Sequence, residues 1–103
     1  MFGRRKTKPM TQDEMMDRIA SAVAPLLRSH GVDRAWLYGD YYIGIAEWGD
    51  IPSIMVEEGV RWPSALIQEC HDALGFYVRL TIAHPGTKQT DYALKHSRVI
   101  HAL

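Results

Sequence analysis

The stretch from Thr11 to Gly31 limits the possible folds more than any other part of the chain. Thr11-Gln12-Asp13-Glu14 has the spacing of a capping box, in which the threonine accepts from the backbone of residue 14 while Glu14 reaches back to the cap. Met15, Met16, Ile19, Val23, Leu26 and Leu27 then recur at three- and four-residue steps, which gathers them on one side of a helix. Pro25 removes one backbone donor within that pattern and is expected to bend its last turns. Gly31 is a natural stop in the left-handed conformation. A helix with one apolar side gains most of its stability from packing, so the rest of the chain must supply a surface for it.

Three segments are candidates for that surface. Val32 to Tyr38 and Ile51 to Val56 are rich in strand-forming residues and bounded by Gly39-Asp40 and Glu57-Glu58-Gly59. Phe76 to Ile82 alternates, with Phe76, Val78, Leu80 and Ile82 on one side and Tyr77, Arg79 and Thr81 on the other. Trp62-Pro63 opens a second helix, because a first-turn proline loses a donor that has no partner anyway. Leu66, Ile67, Cys70, Ala73 and Leu74 form its buried stripe, and Gly75 stops it. Lys88 to Leu103 reads as a last helix with Tyr92, Val99, Ile100 and Leu103 as its apolar set. The expected class is α/β or α+β, in the order α-β-short link-β-α-β-α, with a small mixed sheet of three or more strands packed against helices.

At 103 residues the chain suits one core, placed over residues 11–103. Arg4, Arg5, Lys6 and Lys8 make residues 1–10 a basic arm, expected to be disordered. Twelve basic and twelve acidic side chains cancel, which argues against strong nucleic-acid binding, since that affinity comes from counterions displaced by excess cations. No apolar run approaches the ~20 residues of a membrane span, so no membrane partner is expected. A lone cysteine cannot form an internal disulfide and no leader-like apolar stretch follows the basic start, so a cytoplasmic location is expected.

Most local motifs dissolve on inspection. Gly44 to Gly49 has the glycine spacing of a phosphate loop, but Asp50-Ile51 follows where a lysine and a hydroxyl are required, and an acid there repels phosphate. His30, His71, His84, His96 and His101 lack ligand spacing. Cys70 and His71 are helix neighbours that project apart, so they form no thiolate-imidazole pair and Cys70 reads as a small core residue. Tyr38, Tyr41, Tyr42 and Trp48 cluster near the first two strands. Tyr41, Tyr42 and Trp48 are the candidate partner-surface residues, because aromatic anchors carry much of an interface's energy.

Leu37-Tyr38-Gly39-Asp40-Tyr41-Tyr42-Ile43-Gly44-Ile45-Ala46, followed by Asp50-Ile51-Pro52-Ser53-Ile54-Met55-Val56-Glu57, resembles the signature of minimal nucleotidyltransferase domains of the polymerase-beta-like superfamily. Those domains read Leu-Phe-Gly-Ser, then Ala-Arg-Gly, then a Ser-Asp-Ile-Asp-Leu-hydrophobic-Val strand. The helix before Gly31, the later Leu74-Gly75, the strand after it and the terminal segment follow the family's order of elements, so the resemblance spans nearly all of residues 11–103.

The resemblance implies a site in which Gly-Ser orients a triphosphate and three strand carboxylates hold two metal ions for transfer of a nucleoside monophosphate. In this chain Asp40 replaces the serine. Aligned from Gly39 without a gap, the two paired carboxylates fall on Ile51 and Ser53; shifted by one they fall on Asp50 and Pro52. The third falls on Arg79 and the family's arginine on Ile43. Two-metal chemistry needs hard oxygen ligands around both ions. An arginine ~4 Å from a divalent cation meets a bare repulsion of ~8 kcal/mol at an effective dielectric near 20.

The resemblance therefore implies a degenerate site, Gly39, Asp40, Asp50, Ser53 and Arg79, with Gly39, Asp40 and Arg79 as nucleotide-binding candidates and no metal ligand beyond Asp50. The expected function is a partner-binding, antitoxin-type module without transferase activity and without cofactors. Its expected partner is a helical HEPN-type toxin, or a second copy through self-association. The alternatives are a transferase that uses Mg and ATP through Asp40 and Asp50, and a non-catalytic nucleotide sensor in which Arg79 meets phosphate through its planar fork.

Overall fold

The computed structural model describes residues 10–57 and 63–102. Met1 to Pro9 of the expected basic arm, the Glu58-Gly59 turn, Trp62 and Leu103 lie outside the described residues. Within them the order is α1 (Gln12–Ser29), β1 (Arg34–Tyr38), α2 (Asp40–Ile43), β2 (Ser53–Val56), α3 (Pro63–Leu74), β3 (Arg79–Ile82), α4 (Lys88–Lys95) and β4 (Ser97–Ala102).

The capping box forms as its spacing predicts. Thr11 Oγ1 accepts from Glu14 N and Glu14 Oε1 from Thr11 N, both at 3.1 Å. Met16, Ile19, Val23 and Leu27 are buried on one side of α1, and Gly31 turns the chain out of the helix at φ 75°. His30 Nε2 meets Glu69 Oε2 at 2.9 Å and ties the end of α1 to α3.

The sheet order is β3-β2-β1-β4, with β2 and β3 parallel and β1 antiparallel to both of its neighbours. α3 makes the crossover that parallel strands require. Ala35 and Leu37 of β1 pair with Val56 and Ile54 of β2, and these four join Ile19, Val23, Leu27, Leu66 and Cys70 in the main core. Burial pushes the Cys70 thiol from 9.0 up to about 11, with Glu69 adding to the shift, which fits a core residue rather than a nucleophile. Trp36, Tyr38 and Met55 face the other way and meet Ala83, Ala93 and Leu94 in a smaller cluster near α4.

The chain departs from the sequence reading at its end. α4 stops at Lys95, and Ser97–Ala102 forms β4 instead of continuing the helix expected to Leu103. The antiparallel β4 covers the edge of β1 that β2 leaves open, so backbone groups of the central strand find partners on both sides. A register shift between Ala35 and Trp36 lets adjacent Ile100 and His101 both be buried; His101 Nε2 donates to Val32 O at 2.8 Å. The link after β1, expected to be irregular, also contains the single turn α2.

Candidate functional site

Gly39 is where β1 ends and the link begins. Its φ of 78° with ψ of −146° belongs to a region open in practice only to glycine, and a Cβ there would lie 3.4 Å from Ser53 Oγ. The turn that follows is pinned by the Asp40 carbonyl, which accepts from the backbone of Gly44, Ile45 and Ala46 at 3.1 to 3.2 Å. Gln12 at the start of α1 reaches across to donate to the carbonyls of Tyr41 and Tyr42.

Tyr41 closes the link from inside. It is 1% exposed, and its hydroxyl lies 3.1 Å from Glu47 O and 2.8 Å from Asp50 O, so one proton serves two carbonyls. Burial pushes the phenol above its usual 10.0, and the charge of Asp50 adds to this against hydrogen bonds that lower it. Glu47 N donates to Asp50 Oδ2 at 2.8 Å, so this carboxylate also closes a turn.

Ser53 sits at the start of β2 between Tyr38 of β1 and Arg79 of β3, paired in register with both. Arg79 N donates to Pro52 O at 2.9 Å. Gly39, Asp40, Asp50, Ser53 and Arg79 thus converge on one cavity of about 690 Å³ at the end of the sheet, completed by Tyr38, Gly49 and Ile51. The sequence analysis did not assign Tyr38 and Gly49 to this site; strand alternation, which turns Tyr38 away from buried Leu37, was the available signal for the first.

Ile51 and Ser53 both line this cavity while Pro52 between them is buried. The two positions that the ungapped alignment assigns to paired carboxylates therefore share one wall, and neither carries an acid. Asp40 and Asp50 are the acids present, with Arg79 on the same lining. Among the described residues no group of three or more His, Cys, Asp or Glu side chains is placed to hold a metal. A pair of octahedral ions needs more hard oxygen donors than these two acids supply, so the lining does not fit a two-metal centre.

The aromatic candidates separate. Tyr41 is a core residue, not a surface anchor, because its ring fills the space under the link and its hydroxyl is consumed there. Tyr42 is half-buried against the core. Trp48 is 37% exposed, meets Phe76 edge-on at 5.1 Å, and has the Arg18 guanidinium 5.9 Å from its ring centre. In the same stretch of sequence Ile43, Ile45 and Ile51 are 59%, 68% and 50% exposed, which the sequence reading missed.

The four-stranded mixed sheet, the α3 crossover and the helices packed on it define an α+β domain. Its fold is similar to a chain in the crystal structure of a mutant of the toxin-antitoxin MntA-HpeT, with a TM-score of 0.67 and 16% identity over 82% of this chain and 73% of that one. No family model and no curated protein matches the chain. Among the described residues no helix is long and apolar enough to cross a membrane.

Proposed function

We propose that this chain works by binding a protein partner, as an antitoxin-type module, through the link that frames a cavity no longer equipped for nucleotidyl transfer. The observation that carries this reading is the exposure of Ile43, Ile45, Trp48 and Ile51 within one short segment of the chain, whose end at Ile51 lines that cavity. A small domain rarely leaves several large apolar side chains in water together unless a surface comes to cover them. The aromatic ring of Trp48 in the same segment is the kind of anchor that dominates interface energies. The solved toxin-antitoxin of similar fold supports a toxin as the partner, and a helical HEPN-type toxin is the specific candidate.

The test is co-expression with a candidate helical toxin, read by growth and by co-elution of the purified pair. The parent rescues growth and co-elutes, whereas Ile45→Asp with Trp48→Ala loses both while keeping the parent's circular dichroism. Labelled ATP and magnesium run alongside; label transferred to the toxin by the parent and lost in Asp50→Ala would replace binding with enzymatic transfer. A second reading is favoured by Arg79, which lines the cavity and forms no ion pair among the described residues. Here the cavity senses a nucleotide without metal, and ATP binding persists in EDTA but disappears in Arg79→Ala.

A further inference from the structure

A groove of about 440 Å³ lies between α1 and the C-terminal end of α3, with Trp48 of the link as one wall. Arg18, Ser21 and Ala22 of α1 and Ala73 and Leu74 of α3 complete its lining. Ala22 and Leu74 are half-buried against the main core and form its floor, whereas Arg18, Ser21 and Ala73 are exposed. Phe76, just past the end of α3, braces the indole edge-on at 5.1 Å.

The charges of this groove do not balance. Asp17 on its rim is already matched by Arg98 of β4. Arg18 forms no ion pair among the described residues, and its guanidinium sits 5.9 Å from the centre of the Trp48 ring. A ring attracts the charge but gives the five N–H donors no carboxylate to meet. A single cation cannot hold a polyanion, and the ring and Leu74 call for apolar area, so the matching chemistry is a carboxylate beside an apolar side chain. The spacing selects the element that presents them. One turn of α-helix rises about 5.4 Å, close to the 5.9 Å between guanidinium and ring, so side chains at i and i+4 of one helix reach both. Ser21, Ala22 and Ala73 are small enough to let that helix lie close.

We propose that this groove seats an amphipathic helix of the protein partner that carries a carboxylate one turn from an apolar side chain. The carboxylate closes on Arg18, and the apolar group packs between Trp48 and Leu74, as in other helix-in-groove complexes read through anchors one turn apart. The proposal rests on the partner-binding reading and deepens it, because Trp48 belongs both to the exposed link and to the groove.

The test measures Kd by calorimetry between the full chain and the candidate helical toxin used in co-expression. Arg18→Glu is expected to weaken binding about thirtyfold, by setting two carboxylates against each other. Arg18→Lys keeps the charge without the planar fork and is expected to fall between parent and Arg18→Glu. Ala73→Trp fills the groove from an exposed position and is expected to weaken binding without lowering the melting temperature. Exchanging one carboxylate on a toxin helix for arginine is expected to restore binding to Arg18→Glu, which a merely structural role of Arg18 would not allow. A benzophenone side chain placed at Ser21 is expected to cross-link to that same toxin helix, and it carries the test if Arg18→Glu fails to fold. A toxin that binds the parent, loses Ile45→Asp, and keeps its Kd with Arg18→Glu and Ala73→Trp would overturn the groove while leaving the link as the partner surface. Cross-links from position 21 only to a second copy of this chain would overturn it in favour of self-association. A toxin that binds no form of the chain would remove the groove and the partner-binding reading together.

Discussion

The two faces of the sheet differ in what covers them. On one, α1 and α3 lie over β1 and β2, and Ile19, Val23, Leu27, Leu37, Ile54, Val56, Leu66 and Cys70 are all fully buried. On the other, α4 is the one helix among the described residues that packs near Met55 and Ala83, while Trp36, Tyr38 and Leu94 stay partly exposed. Ser53 and Arg79 share this second face with Met55 and Thr81 by strand alternation, and the cavity lined by Asp40, Asp50 and Arg79 draws on it. One face is committed to holding the fold together, which leaves the other free to carry polar chemistry.

Truncation separates the two most sharply. Leu37→Ala opens a cavity in the close-packed face and is expected to cost about 3 kcal/mol in urea unfolding, whereas Leu94→Ala on the thin face costs about 1 kcal/mol because its neighbours are already partly wet. Equal losses would mean that α4 is as much a part of the core as α1, and the contrast between the faces would fail.

Gly39 tests the junction between the faces. Gly39→Ala must either hold an alanine at φ 78° and ψ −146° or move the start of the link, and a loss of about 2 kcal/mol is expected. A Cβ at 3.4 Å from Ser53 Oγ adds crowding on the cavity side, so NMR shifts should concentrate at Ser53 and Arg79 rather than in α1. An alanine tolerated without loss would show that the link is not anchored at Gly39.

The sequence disclosed the packed face far better than the thin one. The capping box and three- and four-residue steps of α1, the proline start of α3 and the alternation around Leu37 are local signals, readable within a few residues. β4 was not readable that way, because Tyr92, Val99, Ile100 and Leu103 satisfy helical spacing equally well. The open edge of β1, which settles the matter, exists only once the sheet is assembled. The convergence of Gly39, Asp40, Asp50, Ser53 and Arg79 came from likeness to a family's order of elements, since no spacing rule joins residue 39 to residue 79. Tyr41 and the isoleucines of the link exchanged roles for the same reason: an apolar side chain carries no mark that says which neighbours will cover it.

Tyr41 offers a smaller, pH-dependent contrast. Tyr41→Phe leaves the carbonyls of Glu47 and Asp50 without their shared donor and is expected to cost about 1 kcal/mol near neutral pH. The folded phenol ionises above the unfolded value of 10.0, so this contribution is intact below pH 10 and disappears as pH rises through the folded value. The parent should therefore lose its advantage over the phenylalanine variant in alkaline urea titrations, whereas Tyr38→Phe, which breaks only the 3.0 Å contact with Thr81 Oγ1, is the control on the thin face. A difference between parent and Tyr41→Phe that stays constant through the alkaline range would place the hydroxyl in a wetter setting than its burial implies.

Arg79→Ala carries the smallest stability effect and asks the most direct question of the thin face. The side chain is exposed and forms no ion pair among the described residues, so its removal should change unfolding by no more than ~0.5 kcal/mol. Its neighbours explain why so small a change is informative. β3 is held through backbone bonds and through Leu80 and Ile82 against the main core, none of which involve the guanidinium. A loss well above that figure would show that Arg79 braces the end of the sheet, and its presence in the cavity would then be a structural matter. A negligible loss leaves an exposed cation beside Asp40 and Asp50 that the fold does not require. Any change that Arg79→Ala then causes in toxin rescue or in ATP binding belongs to the cavity itself, because the scaffold around it has been shown to stand without it.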